Sequence, residues 1–219
     1  MITLYGSTAS RAHRTLWMLK ELGLPFEHVP LGFTDGSTRE PAFLAINPNG
    51  RVPALDDDGF VVVESMAINL YLARKHGGPL APAGLREEAL ATQWSFWVVT
   101  EVEKPLLLAS ANRKLFAPER RVEAEALMAI AKLDRPMKVL DAHLAQQAHL
   151  LGARFTVADL NVATVMDLAP QCGIALEAWP NVARWHAACL ARPAAADWKD
   201  VSFSIPRPAD ALGMLRMFV

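Results

Sequence analysis

The chain has few cysteines and almost no net charge, and each of these features excludes a class of protein. Its 219 residues include only two cysteines, Cys172 and Cys189, which form no Cys-x-x-Cys motif. A disulfide framework and a cysteine zinc site are therefore not expected, and two reduced, buried thiols are the simplest account. The formal net charge is −1, without any basic run. A nucleic-acid-binding surface is therefore not expected either.

Long apolar runs are also missing. Hydrophobic residues make up 52% of the chain, yet no apolar run approaches the about 20 residues that a membrane helix needs. The first ten residues, MITLYGSTAS, lack the basic and apolar parts of a secretion signal. We therefore expect a folded cytoplasmic protein without a membrane partner. Its length suits one large domain or two small ones that share an interface.

The first 77 residues alternate strand and helix patterns. Strands are predicted at residues 2–5, 26–31, 53–55 and 60–63, and helices at 11–22, 40–46 and 65–76. Gly23 is a natural end for the first helix, and the Asp58-Gly59 pair is typical of a tight hairpin turn. Ser65 is predicted to cap the last helix. The resulting order, β-α-β-α-β-β-α, describes a small α/β domain.

Proline and glycine separate this part from a helical remainder. Alanine- and leucine-rich patterns predict helices at residues 86–115, 118–147, 156–168 and 181–191. Pro136 falls inside the second of these patterns and is predicted to kink or split that helix. We therefore predict an α/β domain at 1–77, a linker at 78–86, and an all-α domain at 87–219. The tail from Val201 ends in apolar residues that are costly to leave in water.

Three short motifs accompany this order of elements: NPNGRVPAL at residues 47–55, the pair Glu64-Ser65 at a helix start, and FTVADL at residues 155–160. In this order and at these separations, the chain resembles the cytosolic glutathione S-transferase family, in its serine-type, theta-like bacterial branch. The resemblance covers nearly the whole chain. It implies a thioredoxin-like N-terminal domain followed by an all-α domain, glutathione as co-substrate, no metal, and a homodimer.

The resemblance also implies an enzyme that activates the thiol of glutathione for attack on an apolar electrophile. Conjugation, peroxide reduction and dehalogenation are all compatible with that chemistry. The alternative is a non-catalytic glutathione-binding or assembly module with the same fold. The joint presence of Ser10, Val52-Pro53 and Glu64-Ser65 favours the enzyme, because an assembly module does not need that set. The apolar tail would cover either the second substrate pocket or the helical core.

A hydroxyl near the first helix is needed because the nucleophile is a thiolate. A free thiol has a pKa of about 8.5, so little of it is ionised at neutral pH. The family places a Tyr, Ser or Cys after the first strand, and here we predict Ser10 as the residue that donates to the sulfur. Ser7 is the runner-up and Thr8 the third candidate, while helix capping alone is the structural alternative for Ser10. Arg11 either adds positive potential there or is a solvated helix residue.

The resemblance implies that glutathione lies along residues 51–53 and 64–65. A cis Val52-Pro53 peptide would turn the main chain of Val52 towards the cysteinyl part of the ligand. Arg51 would meet the glycyl carboxylate, although a surface role explains it equally well. Glu64 and Ser65 would meet the γ-glutamyl end, since helix N-termini favour anions.

The motif FTVADL is interpreted as structural. Thr156 and Asp159 have the spacing of a capping box, with Phe155 and Leu160 placed to pack as a hydrophobic staple. Loss of Asp159 is predicted to cost about 0.5–2 kcal/mol of stability.

Two further groups of residues leave alternatives open. Glu101 and Glu103 are interpreted as part of a solvated acidic face or as a contact to the glutathione amine across a dimer. His13, His28 and His76 lack the spacing of metal ligands, which favours structural or surface roles.

Overall fold

The computed structural model describes residues 1–198 together with Arg207 and Ala209. The tail predicted from Val201 lies outside the described residues, apart from those two. A four-stranded sheet has the spatial order β2-β1-β3-β4. Its strands are β1 (Ile2–Tyr5), β2 (Phe26–Val29), β3 (Ala54–Asp57) and β4 (Phe60–Val63). Strand β1 pairs parallel with β2 and antiparallel with β3, and β3 pairs antiparallel with β4.

Three helices complete the N-terminal part: α1 (Ala12–Glu21), α2 (Pro41–Leu44) and α3 (Ser65–His76). Helix α1 forms the crossover that a parallel β1–β2 pair requires. A two-residue turn, Asp58-Gly59, joins β3 to β4, and both residues have positive φ, 53° and 89°. Such turns match the twist of the paired strands. The predicted order of elements is confirmed.

The remaining helices are α4 (Leu85–Trp97), α5 (Glu103–Ser110), α6 (Glu123–Leu144), α7 (Val157–Met166), α8 (Leu168–Gln171) and α9 (Pro180–Leu190). The helix predicted at 86–115 is α4 and α5, each followed by a π-helical turn, Val98–Val102 and Ala111–Leu115. Pro105 lies just beyond the first of these turns. It has no N–H to donate and crowds the preceding turn, so a widened helix is the expected response.

Helix α6 continues through Pro136 without a break, so the predicted split is wrong. The reason is burial: Leu133, Met137 and Leu140 are each 3% exposed or less on the inward face of this helix. Burying such side chains yields about 1.5–3 kcal/mol each, which outweighs the about 3 kcal/mol cost of an interior proline.

The two halves of the molecule share one hydrophobic core. Helix α7 is buried along its whole length and packs against α1, α3 and α4. A buried polar chain crosses the same interface: the Asn69 amide donates to Asn161 Oδ1 at 2.8 Å, and Asn161 donates to Ser95 Oγ at 2.9 Å. This packing sets the position of the helical half beside the loop that precedes α1.

Both cysteines are buried and unpaired, as the sequence analysis expected. Within the part of the chain that the structure describes, no helix has the length and apolar character required to cross a lipid bilayer.

Candidate functional site

A cleft opens where the start of α1, the segment before β3 and the start of α3 meet. It is lined by Arg11, Asn47, Arg51, Val52, Pro53, Glu64 and Ser65. The cleft therefore brings together all five residues that the sequence analysis assigned to glutathione. Two lining residues, Arg11 and Asn47, were not among them.

The Val52-Pro53 peptide bond is cis, as the resemblance implied. The turn before it is held by Asn47, which is 2% exposed. The Asn47 amide donates to the Arg51 carbonyl at 2.6 Å, and Asn47 Oδ1 accepts from the Asn49 amide at 3.1 Å. Asparagine commonly binds the main chain of its own turn, and its place in NPNG is the sequence signal for this role.

The start of α3 is built differently from the prediction. Ser65 is the first helical residue, and Glu64 occupies the capping position without a side-chain cap. Ser65 is therefore not the cap: its Oγ accepts a long hydrogen bond of 3.4 Å from Arg14 Nη1. Glu64 has φ 70°, a left-handed value that is costly for a residue with a side chain. Strain of this kind concentrates at ligand sites. The free amides at the start of this helix would stabilise a bound anion.

A buried ion-pair network lies behind the cleft. Glu103 Oε1 accepts from Arg14 Nη2 at 2.5 Å and from Arg11 Nε at 2.7 Å. Arg14 is 3% exposed and Glu103 is 6% exposed. Burial alone would raise the pKa of Glu103, but the two guanidinium groups outweigh it and lower that pKa to about 2. Glu103 is therefore charged throughout the physiological range.

This network corrects the interpretation of Glu103. It is buried and therefore does not lie on a solvated acidic face. It joins α5 of the helical half to α1 of the sheet half, and through Arg11 and Arg14 it supports two walls of the cleft. The sequence had no local signal for this pairing, because 89 residues separate Arg14 from Glu103.

Ser10 lies beside the cleft, not among its lining residues. Its neighbourhood is defined by Gly6, which has φ 130° and no room for a side chain. A Cβ on Gly6 would lie 2.7 Å from Ala12 Cβ, 2.9 Å from Val52 Cβ and 3.4 Å from Ser10 Oγ. The end of β1, the start of α1, Ser10 and the cis-peptide segment thus meet around one glycine.

The Ser10 hydroxyl is engaged within its own loop. It donates to the Ser7 carbonyl at 2.7 Å and accepts from the Ala12 amide at 3.1 Å. The second contact reaches the first residue of α1, although the cap position of that helix is held by Arg11 without a side-chain cap. A hydroxyl has one proton, so donation to a ligand requires rotation away from Ser7.

A mixed sheet with a cis-proline cleft, packed on an all-α domain, defines a thioredoxin-like two-domain class. The family models of the glutathione S-transferase N-terminal and C-terminal domains match residues 1–74 and 104–193. Glutathione S-transferase 3 of Zea mays is 37% identical over 209 residues, covering 88% of this chain and 90% of its own. Glutathione S-transferase GstB of Escherichia coli K12 is 31% identical and covers 89% of this chain and 95% of its own.

The similar solved structures are also glutathione S-transferases. A theta class glutathione S-transferase from Xanthomonas axonopodis pv. citri, with glutathione bound, superposes with a TM-score of 0.85 at 28% identity. The match covers 92% of this chain and 99% of that one. The chain belongs to the glutathione S-transferase family. The predicted family, fold class and enzyme class are confirmed.

Proposed function

We propose that this chain binds glutathione along the cleft and transfers it to an apolar electrophile. The observation that carries the proposal is the meeting of the cis Val52-Pro53 segment with Glu64-Ser65 in one cleft. The main chain of Val52 receives the cysteinyl part, and the first amides of α3 receive the γ-glutamyl carboxylate. Arg51, exposed at the mouth, meets the glycyl carboxylate.

Ser10 supplies the hydrogen bond that favours the thiolate. When glutathione binds, the Ser10 hydroxyl turns its proton from the Ser7 carbonyl to the sulfur, which lowers the thiol pKa. The sulfur then attacks an electrophilic carbon: a carbon–sulfur bond forms, and the leaving group departs with its electron pair. Addition across a polarised double bond uses the same thiolate, with solvent supplying the proton.

The chain works as a cytoplasmic homodimer in this proposal. Large apolar side chains are exposed on β4 and on α4, at Phe60 (56%), Leu90 (42%) and Phe96 (66%). Helix α3, which packs against both elements, links the two surfaces. Apolar area of this kind is commonly covered by a second copy. The two free, buried thiols suit a reducing compartment.

The experiment that tests the function combines binding and turnover. The purified chain is applied to glutathione-agarose and assayed with a generic aryl halide and with a panel of further electrophiles and peroxides. Retention with turnover of at least one compound is expected. Retention without turnover across the panel would favour the binding module, and failure to bind would contradict the assignment of the cleft.

The Glu103 network leads to a second prediction. Glu103→Gln removes the negative charge that holds Arg11 and Arg14, so both walls of the cleft lose their support. Because hydrogen bonds to charged groups contribute about 1.5–3 kcal/mol, we expect the KM for glutathione to rise about tenfold or more. Steady-state kinetics with varied glutathione at saturating electrophile measures this change.

The matched control is Glu21→Gln. Glu21 also ties α1 to the helical half, through Arg192 at 2.7 Å on both oxygens, and it does not line the cleft. It should lower stability and leave the KM for glutathione unchanged. Equal KM values for the Glu103 variant and the unmodified enzyme would show that the network serves folding alone.

A further inference from the structure

The ring of His13 lies between two main-chain carbonyls. His13 is in the first turn of α1, and its Nδ1 is 2.7 Å from the carbonyl oxygen of Ser10. Its Nε2 is 3.3 Å from the carbonyl oxygen of Thr164, in the last turn of α7. The backbone amide of His13 also donates to the Ser10 carbonyl, at 3.1 Å. His13 therefore makes two contacts to the Ser10 carbonyl, and its ring lies against the last turn of α7.

The ring is neutral in this environment. Burial, and then the charge of Arg14, lower the pKa of His13 to about 4, although main-chain carbonyls and Glu103 act in the opposite direction. A neutral imidazole has one N–H. The Nδ1 contact is the shorter of the two, so we assign the proton to Nδ1, which donates to the Ser10 carbonyl and leaves Nε2 without a proton for the Thr164 carbonyl.

Both main-chain groups of Ser10, its amide and its carbonyl, are consequently hydrogen-bonded. Its amide and its hydroxyl both donate to the Ser7 carbonyl, at 3.0 and 2.7 Å. Its own carbonyl accepts the two bonds from His13. The main chain on either side of the Ser10 side chain is thus tied down, which fixes the direction in which the hydroxyl leaves the backbone.

We infer that His13 is a positioning residue for Ser10: by donating its Nδ1–H and its backbone amide to the Ser10 carbonyl, it aims the hydroxyl at the sulfur of bound glutathione. The inference rests on the proposed role of Ser10. His13 does not touch the reacting atoms. It acts through the main chain, and its removal should alter the chemistry of the bound thiol more than the affinity for glutathione.

The test compares two amides at this position. In His13→Asn the amide N–H replaces Nδ1–H and keeps the bond to Ser10. In His13→Gln the longer amide replaces Nε2 and reaches towards Thr164 instead. We expect the Gln variant to raise the pKa of the bound thiol by about one unit and to lower kcat/KM at neutral pH about tenfold, while the Asn variant stays near the unmodified enzyme. Thiolate absorbance of bound glutathione across a pH series measures the pKa.

His186→Gln is the matched control. His186 is buried, its pKa is also lowered to about 4, and its Nε2 is 3.3 Å from the carbonyl of Ala163 in the same turn of α7. This variant should lose stability without shifting the thiol pKa. An unfolding curve for each variant accompanies the titration.

Three outcomes separate the inference from the proposal on which it rests. The inference is supported if the thiol pKa shifts more in His13→Gln than in His13→Asn and in the control. If the shift in His13→Gln is no larger than in those two variants, while Ser10→Ala does shift the thiol pKa, the role of His13 is overturned and the role of Ser10 stands. No shift in Ser10→Ala overturns the role of Ser10 and the inference together.

Discussion

Ser10→Ala is expected to raise the pKa of the bound glutathione thiol by about one to two units, because the thiolate loses its hydroxyl donor. A hydrogen bond to a charged group contributes about 1.5–3 kcal/mol, which corresponds to about a 10- to 100-fold loss of kcat/KM at neutral pH. The loss should shrink as the pH rises, since the thiol then ionises without help. Affinity for glutathione should remain nearly intact. Ultraviolet titration of the bound thiol, with a pH profile of kcat/KM, measures both effects.

Ser10→Thr and Ser7→Ala are the companions of this variant. Threonine keeps a hydroxyl and should retain much of the activity. Ser7 contributes its carbonyl to Ser10, a contact that alanine preserves. Ser7→Ala should therefore change little. A large loss in Ser7→Ala, with Ser10→Ala active, would move the assignment one turn earlier. Ser10→Ala also removes the acceptor of the Ala12 amide, so the melting temperature of each variant is needed to separate folding from chemistry.

Asp159→Ala is expected to cause the largest loss of stability among these variants. Asp159 has no exposed surface, and its carboxylate accepts four hydrogen bonds. Oδ2 accepts from the amide and the hydroxyl of Thr156 at 2.9 and 3.0 Å. Oδ1 accepts from the Leu150 amide and from Trp185 Nε1, both at 2.9 Å. The capping box with Thr156 is present, but it is only part of what Asp159 does.

The buried network changes the size of the expected effect. The capping box alone predicted a cost of about 0.5–2 kcal/mol. An alanine leaves four buried donors without an acceptor, and each costs about 1–3 kcal/mol when unsatisfied. We therefore expect a loss of at least about 4 kcal/mol, which corresponds to at least about 8 °C in melting temperature. Thermal and urea denaturation at one protein concentration measure it.

Two variants make this prediction specific. Asp134→Ala removes an exposed carboxylate that pairs with Lys138 at 2.7 Å, and it should change the free energy of unfolding by no more than about 0.5 kcal/mol. Asp159→Asn keeps one acceptor oxygen and should fall between the two. Folded Asp159→Ala should still bind glutathione. A lost affinity with an unchanged melting temperature would contradict the structural role.

Much of the fold followed from local patterns in the chain. Alternating strands, the Asp58-Gly59 turn and helix periodicity depend on neighbours in sequence, and the structure has the predicted elements in the predicted order. The sequence-based predictions were wrong where contacts between residues distant in the chain compete with local preference. Helix α6 passes Pro136 because its inward face is buried, and Ser65 binds Arg14 instead of capping its helix.

The sequence by itself determined the order of the elements, the family and five of the seven residues that line the cleft, because these depend on short motifs whose geometry is local. Only the tertiary structure decided what supports them. Glu103 meets Arg11 and Arg14, and His13 meets Thr164, across 92, 89 and 151 residues of chain. Those contacts depend on how α5 and α7 pack against α1, and hence on the shared core. No spacing along the chain encodes that packing.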